Sequence, residues 1–139
     1  MKGRTLGYWA TTGLLSFMML GAGASKLAGV EDIAANMEHI GMPSYMMTIL
    51  GVAYLSAVIA LLVPGMARLK EWAYAGITFA MLGAFSSHMF VGDPVVNSAP
   101  IFVILGLTAA SYALRPSSRR LDTVSEGSAP SPLLQPATN

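Results

Sequence analysis

Lys26, Tyr54, His88 and Asp93 are the side chains of this sequence with the chemistry and placement to meet a ligand or a proton. An imidazole titrates near neutrality, so His88 can bond a carbonyl oxygen or pass a proton. The Lys26 ammonium and the Tyr54 phenol donate hydrogen bonds, and an ionised Asp93 accepts them. Each also has a structural role open to it. Lys26 can anchor a helix end with its ammonium in water, or pair with Glu31 or Asp93. His88 can stay neutral between helices, bonded to a carbonyl or hydroxyl, and Tyr54 can tie two helices together. His39 reads as a solvated loop residue. Ionisable groups inside apolar spans are costly and are functional candidates by default.

Four apolar runs must position these residues: Leu6 to Ala28, Tyr45 to Val63, Trp72 to Val91 and Val95 to Leu114. From Trp72 to His88 a helix rises about 24 Å against a hydrocarbon core of roughly 30 Å, so this run crosses a bilayer with His88 near one boundary. The first three runs are long enough to span unaided. The fourth is the weakest, interrupted early by Asn97, Ser98 and Pro100, but proline is tolerated in a first helical turn and the run spans when counted from Val95. Lys26, His39, His88 and Asp93 then share one side of the membrane, and Tyr54 lies mid-span. They are neighbours only if the bundle packs that way. Small residues at Ala73, Gly76, Ala80, Gly83, Ala84 and Ser87 give the third helix a close-packing face, and with Gly106 to Ala110 they permit a homo-oligomer as readily as intramolecular packing.

The 139 residues suit one domain, and 54% hydrophobic against 11% charged residues lies outside the soluble balance, which places the chain in a lipid bilayer. A net charge of +1 without a basic, aromatic-interleaved patch gives no case for nucleic acid. The absence of cysteine excludes disulfides, Cys-based zinc sites, iron–sulfur ligation and a dithiol relay within this chain. Two distant histidines, with Glu31, Asp32, Glu38 and Asp93 in loops, do not form a recognised metal spacing. No nucleophile elbow, phosphate loop or paired-acid signature is present, so no catalytic residues are assigned. The ten methionines are flexible packing material rather than a copper site.

Charge sets the expected orientation. Lys2, Arg4, Arg68, Lys70, Arg115, Arg119 and Arg120 fall on the side of the termini, and Lys26 on the other, which makes both termini cytoplasmic. Tyr8, Trp9, Trp72, Tyr74 and Tyr112 lie near those same ends. The first run also resembles a secretory signal ending at Gly21 to Ser25, but it is long for one, and its loss would break the even topology. In the loop from Gly29 to Met42, Val30, Ile33, Met37 and Ile40 share one helical face and Glu31, Asp32, Asn36 and Glu38 the other, the pattern of a short interfacial helix. Ser117 to Asn139 is rich in Ser and Pro and reads as a disordered cytoplasmic tail. The expected architecture is all-α: a four-transmembrane-helix bundle over residues 1–116, with a short interfacial helix in its first outer loop and a tail over 117–139.

Several segments together resemble the DoxX-like family of small four-helix membrane proteins. They are Gly23-Ala24-Ser25-Lys26-Leu27, His39-Ile40-Gly41-Met42-Pro43, Pro64, Lys70-Glu71-Trp72-Ala73-Tyr74-Ala75-Gly76, Ser87-His88 and Arg115-Pro116. The resemblance covers roughly residues 6 to 116. It implies a bacterial or archaeal plasma-membrane protein and, through relatives associated with quinone-linked sulfur oxidation, work beside an oxidoreductase. One departure stands out. An acid is expected mid-way along the second helix after Gly-x-x, and this chain has Gly51-Val52-Ala53-Tyr54.

The leading functional reading is a non-catalytic accessory or anchor subunit of a quinone-linked oxidoreductase system. Lys26, Tyr54, His88 and Asp93 would contact a quinone held without a covalent bond. The alternative is a small-solute permease or binding membrane protein, for which the sequence supplies little polar lining toward the cytoplasmic end beyond Thr78 and Ser56. A self-contained enzyme ranks last.

Overall fold

The computed structural model describes residues 2–121, and over that range the chain is all-helical. Its long helices are α1 (Lys2–Leu27), α3 (Tyr45–Leu62), α4 (Ala67–Phe90) and α5 (Ala99–Leu114), with a short α2 (Glu31–His39) between the first two. A 3-10 turn at Val95–Ser98 leads into α5, and another, Ser117–Arg119, follows it. The long helices run up and down in turn and close a ring, with α1 against α3 and α5, and α4 against α3 and α5. Lys2, the α3–α4 corner and Leu121 meet at one end, here the proximal end. Helix α2 and the α4–α5 corner form the distal end.

By length and composition, α3 and Val95–Leu114 are apolar enough to cross a membrane, with mean hydropathies of 2.1 and 1.6. Helix α1 joins them only when taken with α2, from which it is bent by 88°. The second run is thus long and apolar enough as expected, while the fourth, expected to be the weakest, ranks above the first and third. The fourth is continuous because the 3-10 turn and Pro100, in the first turn of α5, prolong the helix rather than break it. Helix α4 starts five residues before the expected run, and Arg68, Lys70 and Glu71 on its first turns dilute its apolar character.

Close backbone approach decides the α1–α3 contact. A Cβ built on Gly23 would lie 3.1 Å from the Gly51 carbonyl oxygen, and one on Gly51 would lie 2.7 Å from Leu27 Cγ. In a membrane, where lipid tails are as apolar as leucine, such van der Waals proximity drives helix pairing. Around this crossing the core is built from Leu15, Met19, Leu61, Ile77 and Met81, none more than 4% exposed.

Glycine closes the helices that feed the distal end. Gly29 (φ 67°) and Gly92 (φ 82°) follow the last residues of α1 and α4 in the left-handed conformation that side chains with a Cβ avoid. At both ends the paired backbone bonds of a Schellman cap form: Val30 N–H donates to Ser25 O (3.1 Å), and Asp93 N–H donates to His88 O (3.0 Å). The second cap brings the Asp93 backbone back onto the turn that carries His88.

The proximal end is held by buried donors. Lys70 is fully buried, and its Nζ donates to the carbonyls of Ala60 (2.7 Å), Leu61 (3.3 Å) and Val63 at the C-terminal end of α3. Arg115 pairs with Glu71 at 2.7 Å, and its guanidinium lies 3.9 Å from the Tyr112 ring centroid. The segment expected as tail begins in the described region. Arg119 of the Ser117–Arg119 turn donates to Leu61 O (3.0 Å) and stacks over Trp9 (4.6 Å). Residues 122–139 of that expected tail lie outside the described residues.

Candidate functional site

Lys26, Tyr54, His88 and Asp93 come together on one cavity of about 790 Å³ at the distal end of the bundle. Its walls are otherwise mainly apolar, with Met19, Ala22, Met81, Ala84, Ile101 and Ile104 among them. An apolar cavity in the range of roughly 300–1,000 Å³ with a few converging polar groups is the usual form of a small-molecule site.

The glycine crossing positions the first two groups. Lys26 and Tyr54 lie one helical turn beyond Gly23 and Gly51, and the Lys26 ammonium rests 5.4 Å from the centroid of the Tyr54 ring. Tyr54 is only 7% exposed, and its hydroxyl has no hydrogen-bond partner among the described residues. Neither ion pair expected for Lys26, with Glu31 or with Asp93, is among those formed by the described residues.

The glycine-capped corner positions the other two. His88 Nδ1 donates to Asp93 Oδ2 at 2.6 Å, and His39 Nε2 donates to Asp93 Oδ1 at 2.8 Å. These hydrogen bonds, that from His88 foremost, hold the Asp93 carboxyl below its usual value of 3.8. With the Asp93 carboxylate accepting from Nδ1–H of His88, Nε2 is the ring nitrogen left for a ligand. His88 is largely buried and His39 is 53% exposed, so the chain His88–Asp93–His39 leads from the cavity to the distal surface. Among the described residues no group of three or more His, Cys, Asp or Glu is arranged to hold a metal ion.

His39 is the functional residue that sequence reasoning missed. It ends α2, and the expected solvated loop residue is instead tied to the α4–α5 corner. Helix α2 forms over the residues expected, but Ile33, Met37 and Ile40 of its apolar face roof the cavity. Asn36, expected on the opposite, polar face, lines it too. No local signal in the sequence marks the His39–Asp93 contact, which spans 54 positions.

A second polar cluster lies toward the proximal end. Ser111 Oγ shares hydrogen bonds with Thr12 Oγ1 (2.6 Å) and Tyr74 OH (2.7 Å), and all three residues are buried. The sequence reading did not identify this polar core because its three members lie on three different helices, far apart in sequence. Toward the distal cavity the next buried residues are apolar Leu15 and Ile77 and polar Ser16 and Thr108, before Met19 and Met81 of the cavity wall.

An all-helical chain with bilayer-length apolar helices and a few buried polar groups defines a membrane protein. Within that class the chain belongs to the DoxX-like family, whose model matches residues 10–111. The match takes in Lys26, Tyr54, His88 and Asp93 and leaves out the Arg115-Pro116 pair. No curated protein and no solved structure matches the chain.

Proposed function

We propose that this protein crosses the plasma membrane four times and binds a quinone headgroup in the distal cavity, as a non-catalytic accessory subunit of an oxidoreductase system. The observation that carries this reading is the convergence of Lys26, Tyr54, His88 and Asp93 on one apolar cavity of about 790 Å³. Both termini lie in the cytoplasm, α2 lies along the outer interface, and the cavity sits in the outer half of the bilayer. The proximal cations Arg4, Arg68, Arg115, Arg119 and Arg120 support that orientation.

The residues present fit such a ligand. The Tyr54 hydroxyl and the Lys26 ammonium donate to a quinone carbonyl. His88 accepts a proton through Nε2 while Asp93 holds its Nδ1, or donates from Nε2 when the ring is doubly protonated. His39 carries protons between Asp93 and water. A partner protein exchanges the electrons, since this chain has no electron carrier of its own among its side chains.

The test is His88→Leu, which should impair quinone-linked electron transfer in native membranes while leaving membrane insertion intact. Unchanged activity would count against the reading. The permease alternative draws support from the Thr12–Ser111–Tyr74 cluster and from buried Ser16 and Thr108 one turn nearer the cavity, whereas the buried apolar side chains of Leu15 and Ile77 at that level favour a closed binding site. Proteoliposomes showing uptake of a small solute would reverse that ranking.

A further inference from the structure

We propose that the ligand of the distal cavity carries a long prenyl tail, seated in a separate apolar groove between α3 and α4. This rests on the quinone reading above and names the class of quinone. The groove is about 240 Å³ and is lined almost wholly by apolar side chains. It shares Leu50, Tyr54 and Ala80 with the cavity, so the two adjoin at the level of Tyr54. From there it follows α4 back to Trp72 and Leu69, a rise of about 16 Å over the helix from Ala80 to Leu69. One site thus combines a polar chamber with a narrow apolar channel.

That shape selects an amphiphile with one chain. Ala53, Ser56 and Gly76 on the groove's rim are exposed, while Ala60, Ala73 and Ile77 form its buried floor. Beside Tyr54, the residues common to groove and cavity are the apolar Leu50 and Ala80, so the boundary a tail would pass carries no charged group. The groove's width comes from its small residues: a Cβ added at Gly76 meets nothing within 4 Å. That open space is what the tail fills.

The test places the full-length protein in nanodiscs of neutral phospholipid and compares two benzoquinones at equal bilayer mole fraction, one with a single isoprene unit and one with a long polyprenyl chain. Bound quinone is read by native mass spectrometry. Gly76→Leu fills the groove and improves local helix propensity, and Ala53→Phe fills it from α3, so the second variant tests the same claim if the first misfolds. Both variants should lower occupancy by the long-chain quinone by about tenfold and leave the short-chain quinone unchanged. Equal loss of both quinones, or loss of neither, would overturn the tail groove while leaving headgroup binding standing. Loss of a bound phospholipid with both quinones retained would also overturn it, by assigning the groove to an acyl chain. If the wild type retains neither quinone, the headgroup reading itself fails, and the tail groove with it.

Discussion

Gly23 and Gly51 face each other across the antiparallel α1–α3 contact, and Lys26, one turn distal to Gly23, reaches back over the ring of Tyr54, one turn proximal to Gly51. The pairing explains two of the sequence's otherwise unremarkable small residues. It also gives position 54 a defined partner. Where the family resemblance leads one to expect an acid, an ion pair with Lys26 would form, and here a cation–π contact worth about 0.5–2 kcal/mol takes its place.

Replacing Gly51 with leucine should force α1 away from α3, because even a single Cβ there lies 2.7 Å from Leu27 Cγ and 3.1 Å from the Gly23 carbonyl oxygen. The expected cost is about 1–3 kcal/mol, read as a lower midpoint in detergent unfolding. Gly13→Leu is the control, since a Cβ at Gly13 meets nothing within 4 Å and leucine is the better helix former. Equal effects of the two substitutions would contradict the crossing.

Tyr54→Phe keeps the ring under Lys26 and removes only the hydroxyl. Stability should change by less than about 1 kcal/mol, because the hydroxyl has no protein partner to lose, while quinone affinity should fall by about tenfold. Parallel thermal melts and quinone titrations check the split. A large loss of stability with unchanged affinity would make Tyr54 a structural tie.

The distal carboxylate predicts a pH dependence with a definite sign. Asp93 titrates below its ordinary value of 3.8 in the folded protein because His88 and His39 donate to it. A depressed folded value means that its contribution is fully present above 3.8 and is lost as pH falls through the lower folded value. Wild type should therefore melt above Asp93→Asn at neutral pH, and the gap should close only as the pH is taken below 3.8. A gap independent of pH would show that the hydrogen bonds to Asp93 do not stabilise its ionised form.

Lys70→Met removes the donor that satisfies the carbonyls of Ala60, Leu61 and Val63 while keeping a side chain of similar length. The expected loss is about 1–3 kcal/mol in detergent unfolding. Affinity for the quinone with a single isoprene unit should not change, because Lys70 lies at the opposite end of the bundle from the headgroup cavity. Wild-type stability would show that the carbonyls find other partners.

How much of this was legible in the sequence varied with the range of the interaction. The helices followed from apolar runs and from local punctuation by proline and glycine, and α2 from its periodicity. The placement of Lys26 and His88 at helix ends followed from counting turns. What stayed hidden were contacts set by the ring order of the helices. His39 looked solvated because its partner Asp93 lies 54 positions away in sequence and is brought to it by the corner capped at Gly92. Thr12, Tyr74 and Ser111 lie on three different helices, and only packing makes them a network. Lys70 was read as one of the cytoplasmic-side charges, but its stem reaches back along α3 and buries the ammonium on carbonyls.

Native mass spectrometry of the protein extracted in mild detergent from its own membrane, with bound lipids identified by extraction, tests the central claim most directly. We expect a stoichiometric long-chain quinone on the wild type, lost on His88→Leu. A bare protein carrying only bulk lipid would contradict quinone binding in the distal cavity.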